Sequence, residues 1–188
     1  MANEVLIKSG TQVVFADVGG DFAPAAANDL RQGTPTTVQL ALAGVADDAA
    51  RQSTKVDLGA TRARQYSLSA ALEFAATPVA GEFVEFYWAP SGDATAANSN
   101  PAACTGADGA YSGYSSNLDA SLKQLVFIGV LVVTEQPTAT VQVGTDIGRF
   151  SAAERYGSLV VVNRAGAAIH SDDVECHIVC TPIVDEVQ

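Results

Sequence analysis

The feature that most limits this chain is a close succession of short β-rich runs in its last third, with no room for a helix between them. Leu122 to Thr134, Ala139 to Val143, Gly157 to Asn163 and Val174 to Val184 are dense in Val, Ile and Leu. They are divided by Gln136-Pro137, Gly144 to Gly148 and Arg164-Ala165-Gly166, residues that break strands and make turns. Upstream, Gln65 to Ala76 alternates, with Tyr66, Leu68, Ala70, Leu72 and Phe74 on one side and Ser67, Ser69, Ala71 and Glu73 on the other. Thr77 to Gly81 interrupts, and Glu82 to Trp88 resumes as the second arm of a hairpin. Thr36 to Ala43 reads as a strand with Val38, Leu40 and Leu42 inward. Glu4 to Lys8 and Thr11 to Ala16 read as a hairpin turning at Ser9-Gly10. Val45 to Ser53 has too little apolar face for a stable helix and reads as a loop or short helix.

This pattern predicts an all-β fold, an antiparallel β-sandwich of jelly-roll character formed by residues 1–188 as a single domain. Two segments fall outside the strand pattern. Gly19 to Pro35 is rich in Gly, Ala, Asp and Pro and predicts an arm reaching a neighbouring subunit, with Phe22 and Leu30 as its contact residues. Pro90 to Asn117 predicts a long excursion anchored by Tyr111 and Tyr114, which are candidate interface or ligand contacts. The most apolar stretch, Leu125 to Val133, is far too short for a membrane helix and reads as a buried strand.

Charge narrows the partners. The 188 residues carry 21 acidic and 10 basic side chains, a formal net charge of -11. Such a surface repels a polyanion, so direct nucleic-acid binding is not expected. Only Lys8, Lys55 and Lys123 are lysines, and no basic run exists to hold an anionic membrane. Met1 to Gly10 lacks the pattern of a secretory signal, which predicts a protein made and kept in the cytoplasm. Cys104, Cys176 and Cys180 are odd in number. On one strand Cys176 and Cys180 would be about 13 Å apart, beyond the reach of a disulfide, and all three read as small core residues.

No motif of nucleophilic, phosphate-binding or zinc-dependent catalysis occurs, so neither enzyme activity nor a cofactor is expected. The segment His170-Ser171-Asp172-Asp173-Val174-Glu175-Cys176-His177 offers metal-ligand types without a recognised ligand spacing, and reads as an acidic turn entering a strand. Two carboxylates, for example Glu73 and Glu85 on neighbouring strands, could in principle serve glycoside hydrolysis, but acid pairs on a solvent face are commonplace. Trp88, Tyr87, Tyr111 and Tyr114 have rings that could stack on a sugar; Trp88 ends an aromatic strand with Phe83, Phe86 and Tyr87 and is expected to be buried, whereas Tyr111 and Tyr114 suit either an interface or a sugar ring.

Three stretches resemble virion structural proteins of tailed bacteriophages: Phe83 to Pro90 (FVEFYWAP), Tyr111 to Ile128 (YSGYSSNLDASLKQLVFI) and Arg155 to Gln188 (RYGSLVVVNRAGAAIHSDDVECHIVCTPIVDEVQ). The resemblance implies a β-sandwich particle component made in the host bacterial cytoplasm and located in the virion. Within that group the expectation is a capsid cement or decoration protein, a homo-oligomer bound to the major capsid protein or other virion subunits. The alternative is a receptor- or carbohydrate-binding module of a tail tip or fibre, using the Tyr111/Tyr114 loop.

Overall fold

A computed structural model describes residues 5–187, with side chains described from 10 to 184; Glu4, expected to open the first strand, lies outside them. The fold is all-β. Its strands are β1 (Val5–Ser9), β2 (Val13–Ala16), β3 (Thr36–Gln39), β4 (Ala50–Gln52), β5 (Val56–Asp57), β6 (Gln65–Leu72), β7 (Phe83–Ser91), β8 (Gly109–Tyr111), β9 (Val126–Val132), β10 (Gln142–Ser151), β11 (Tyr156–Arg164) and β12 (His177–Val187). A short helix, α1 (Leu118–Leu122), is capped by the Asn117 side chain, which accepts from the Ala120 N–H.

The strands join into one 12-stranded sheet in the order β3-β2-β12-β6-β10-β9-β7-β11-β4-β8, with β1 beside β12 and β5 beside β11. The sheet curls into a half-barrel. Because β2 and β3 run parallel, the sheet is mixed. The expectation of a purely antiparallel jelly-roll sandwich finds no support in this pairing, although the all-β reading holds.

The curl encloses the main core, where Phe15, Leu68, Leu72, Phe86, Trp88, Leu159 and Ile178 meet. Trp88 packs against Phe150 with ring centroids 4.9 Å apart. Gly157 faces the Trp88 indole so closely that a Cβ there would overlap the ring. Cys176 and Cys180 are buried in this core as free thiols and Cys104 in a second cluster. Burial pushes all three thiols up to about 12, which keeps them protonated.

Several local expectations are corrected. The first two strands are not a hairpin: β1 and β2 both pair with β12, Ser9 opposite Ile183 and Val13 opposite Cys180. The reason is Pro182, which has no N–H for the ladder and lies against Gly10, so one bent strand is interrupted where a turn was expected. Ala50–Gln52, expected to be loop or helix, is a strand between β11 and β8. Gly144 to Gly148 does not end a strand, since β10 runs through it with a register irregularity. Gly148 is needed there because a Cβ would collide with the Ile128 carbonyl of β9.

The two long segments cover the outside of the sheet at opposite ends. Residues 19–35 form the crossover between parallel β2 and β3, and Phe22 and Leu30 pack on Val14, Ala16 and Val179. The excursion after β7 packs Ala102, Cys104, Tyr111 and Leu122 on Ala50, Ala89, Val160 and Val162. This explains why β2 and β11 are buried on both faces.

Candidate interaction surface

Phe22 and Leu30, expected to reach a neighbouring subunit, hold the arm to its own sheet. The Leu30 N–H donates to His177 Nε2 at 3.1 Å, and the His177 Nδ1 lies 2.8 Å from the Glu175 carbonyl, which fixes Nδ1 as the protonated nitrogen. Phe22 packs on the same imidazole with centroids 5.4 Å apart, and the Arg31 guanidinium carbon lies over the Phe22 ring, 4.9 Å from its centroid. Both Glu175 carboxylate oxygens accept from the Ala25 N–H at 3.0 Å. Burial pushes His177 below its ordinary 6.5.

The other polar residues of the 170–177 segment are engaged in similar ways. Asp173 Oδ2 accepts from the Leu42 and Ala43 N–H groups at 2.7 and 3.0 Å, and burial raises its carboxyl. Asp17 and Asp21 converge on it, all three carboxylates placing an oxygen within 4.8 Å of the others. They are the one grouping of metal-ligand types among the described residues, and their partners on the protein account for Asp173 and Asp17. Glu73 faces His170 at 3.6 Å, and Glu85 pairs with Arg164 at 3.1 Å, so the two carboxylates have separate partners.

The excursion is organised by Lys55. Its ammonium lies 2.8 Å from Ser91 Oγ and within 3.0 Å of the carbonyls of Asp93, Thr95 and Asn98. Burial lowers its affinity for the proton, consistent with a cation taken partly out of water. Tyr111 is only 4% exposed, and its hydroxyl donates to the Ala102 carbonyl at 2.6 Å. It is an internal anchor of the excursion and presents no free ring face. Tyr114 is 53% exposed and stands apart from it.

Between the two covered ends lies an uncovered stretch of the outer face. In β9 the side chains of Ile128 and Leu131 enter the core, while Phe127 and Val132 are 53% and 56% exposed. Phe127 is paired with Tyr87 and Val132 with Phe83, residues four apart on β7 and so on one face. The Tyr87 and Phe127 rings meet edge to face at 5.3 Å. Val143 on β10 is 44% exposed and lines a groove of about 400 Å³ together with Val132. A neighbouring groove of about 420 Å³ joins Phe127 to Tyr87, Leu122 and Lys123. The rim is charged, since Arg164 bonds Glu85, Asp48 and Asp119. An apolar sheet face with a polar rim is the makeup of a protein contact surface.

Sequence alone hides these residues, because Leu125 to Val133 reads as a buried strand. The usable signal was that the run is apolar at every position. A strand with one wet face alternates, so an unbroken run requires cover on both sides. For β11 the chain supplies that cover; for Phe127 and Val132 of β9 the described residues leave more than half of each residue exposed. No family model, curated protein or solved structure matches the chain. Among the described residues no helix is long and apolar enough to cross a membrane.

Proposed function

We propose that the protein is a structural subunit of a tailed-bacteriophage particle, a decoration or cement protein that seats the outer face of β9 and β10 against the capsid shell. The observation that carries this reading is the unbroken apolar run of β9, whose outward members Phe127 and Val132 are left more than half exposed by the described residues. Burying such a side chain fully contributes about 1.5–3 kcal/mol, so a small cluster repeated around a symmetric shell adds appreciable cohesion. The lysine-poor, acidic remainder suits the solvent side of such a subunit. The resemblance of three stretches to virion proteins supports the same class, with the major capsid protein as partner and homo-oligomeric contacts around the lattice.

The arm and the excursion do not serve as the gripping elements in this reading, because both are occupied in covering their own sheet. The rival, a tail-borne carbohydrate-binding module, rested on Tyr111 and Tyr114 acting together, and burial of Tyr111 weighs against it. The test is reconstitution. Purified protein is mixed with capsids lacking it and separately with capsid-free tails, and both are imaged by electron cryomicroscopy. Regular density on capsids, with β9 and β10 toward the shell, is expected; density on tails alone would contradict the proposal.

A further inference from the structure

The chain has seven arginines, and five of them, Arg31, Arg51, Arg149, Arg155 and Arg164, are ion-paired with carboxylates. The other two, Arg62 and Arg64, have no carboxylate partner among the described residues, and both line a single cavity of about 680 Å³. In a chain with twice as many acids as bases, two guanidinium groups beside one cavity with no acid among its described lining residues are a like-charge pair.

Arg62 is also held in place. Arg62 Nε donates to the Ala152 carbonyl at 3.1 Å and its Nη2 to the Ala153 carbonyl, while the Ala152 N–H donates to the Arg64 carbonyl at 3.0 Å. These bonds pin the segment before β6 to the end of β10. Gln65 and Ser151 add polar side chains that make no hydrogen bond to the described residues, and Ala152 and Ile183 add apolar wall.

From this we infer that the cavity binds an acidic peptide segment of a partner protein, one or two Asp or Glu carboxylates lying on the Arg64 guanidinium and on the Nη1 side of Arg62, whose Nε and Nη2 are held by the Ala152 and Ala153 carbonyls. Guanidinium presents paired N–H donors that match a carboxylate, and the methylene groups of the same side chain fit the apolar wall. The volume suits a few residues of chain; a lone oxyanion would fill little of it. The body's charge of -11 disfavours long polyanions, which selects a short segment. The site lies at the Ser151 end of β10, shares no lining residue with the Phe127, Val132 and Val143 grooves, and does not depend on the proposal made for them.

The experiment follows the arginine Nε–H resonances of labelled full-length protein during titration with acetyl-Ala-Asp-Glu-Ala-amide, with acetyl-Ala-Asn-Gln-Ala-amide and inorganic phosphate in parallel. Saturable shifts at Arg62 and Arg64 with the acidic peptide alone are expected. Arg64→Gln, whose exposed side chain makes no hydrogen bond to the described residues, should weaken that binding about tenfold through loss of one charge-assisted pair. No saturable shift, an equal response to the neutral peptide, tighter binding of phosphate, or unchanged affinity in Arg64→Gln would each overturn the assignment.

Discussion

At the scale of single residues, His177 shows how one side chain ties a surface segment to the sheet. It is fully buried, accepts from Leu30, and is approached by Asp29 and Arg31 from the arm and by Glu175 on its own segment. Its native proton affinity is depressed by burial, whereas the unfolded chain takes up a proton near 6.5. Below that pH the unfolded state therefore binds more protons than the native state. Stability is full above about 6.5 and declines as the pH falls toward the native value, by about 1.4 kcal/mol for each pH unit between the two. In His177→Gln, which keeps an acceptor but does not titrate there, that component should vanish. Urea denaturation of both proteins between pH 7.5 and 5 checks this, and parallel pH profiles would exclude His177 as the group. Gly148 gives a second prediction. A Cβ would meet backbone of β9, so Gly148→Ala should cost about 1–3 kcal/mol in the same assay, whereas a cost within error would remove the close approach as its reason.

At the scale of elements, the covering segments decide which strands are doubly buried. Lys55 is the centre of the excursion, and Lys55→Met should remove about 1.5–3 kcal/mol of charged hydrogen bonding. The loss should be local, appearing as faster proteolysis and amide exchange across residues 92–104 while the β6 amides stay protected. Equal protection of that stretch in both proteins would show that the ammonium does not organise it.

The strands themselves were largely legible. Alternation in Gln65 to Leu72 and the apolar run of β11 gave elements close to those observed, because period and composition report burial directly. What failed depended on partners distant in sequence. Ser9-Gly10 resembles a turn locally, and only the Pro182 opposite it, 172 positions from Gly10, makes it a break within a strand. Gly144 to Gly148 resembles a loop, and only the approach of β9 explains its glycines. For the candidate site, Tyr111 and Tyr114 were read together from composition, yet one is inside and one outside. Phe22 and Leu30 were read as outward contacts, and only the buried His177 opposite them shows why the arm lies flat.

For the whole molecule, the arrangement is a curled sheet with its concave side filled by core, both ends of its outer face covered by its own chain, and an apolar patch of Phe127, Val132 and Val143 left exposed between them. That asymmetry is the basis for reading the protein as an assembly subunit. Phe127 and Val132 are more than half exposed, so Phe127→Ser with Val132→Ser should leave the protein folded at a cost of about 1–3 kcal/mol from the lost Tyr87 ring contact and strand propensity. The decisive measurement is binding of wild-type and doubly substituted protein to capsids lacking the subunit, with thermal unfolding of both measured in parallel. The account predicts that wild-type protein decorates the shell and that the folded double variant does not; decoration of capsids by the variant at wild-type occupancy would contradict it.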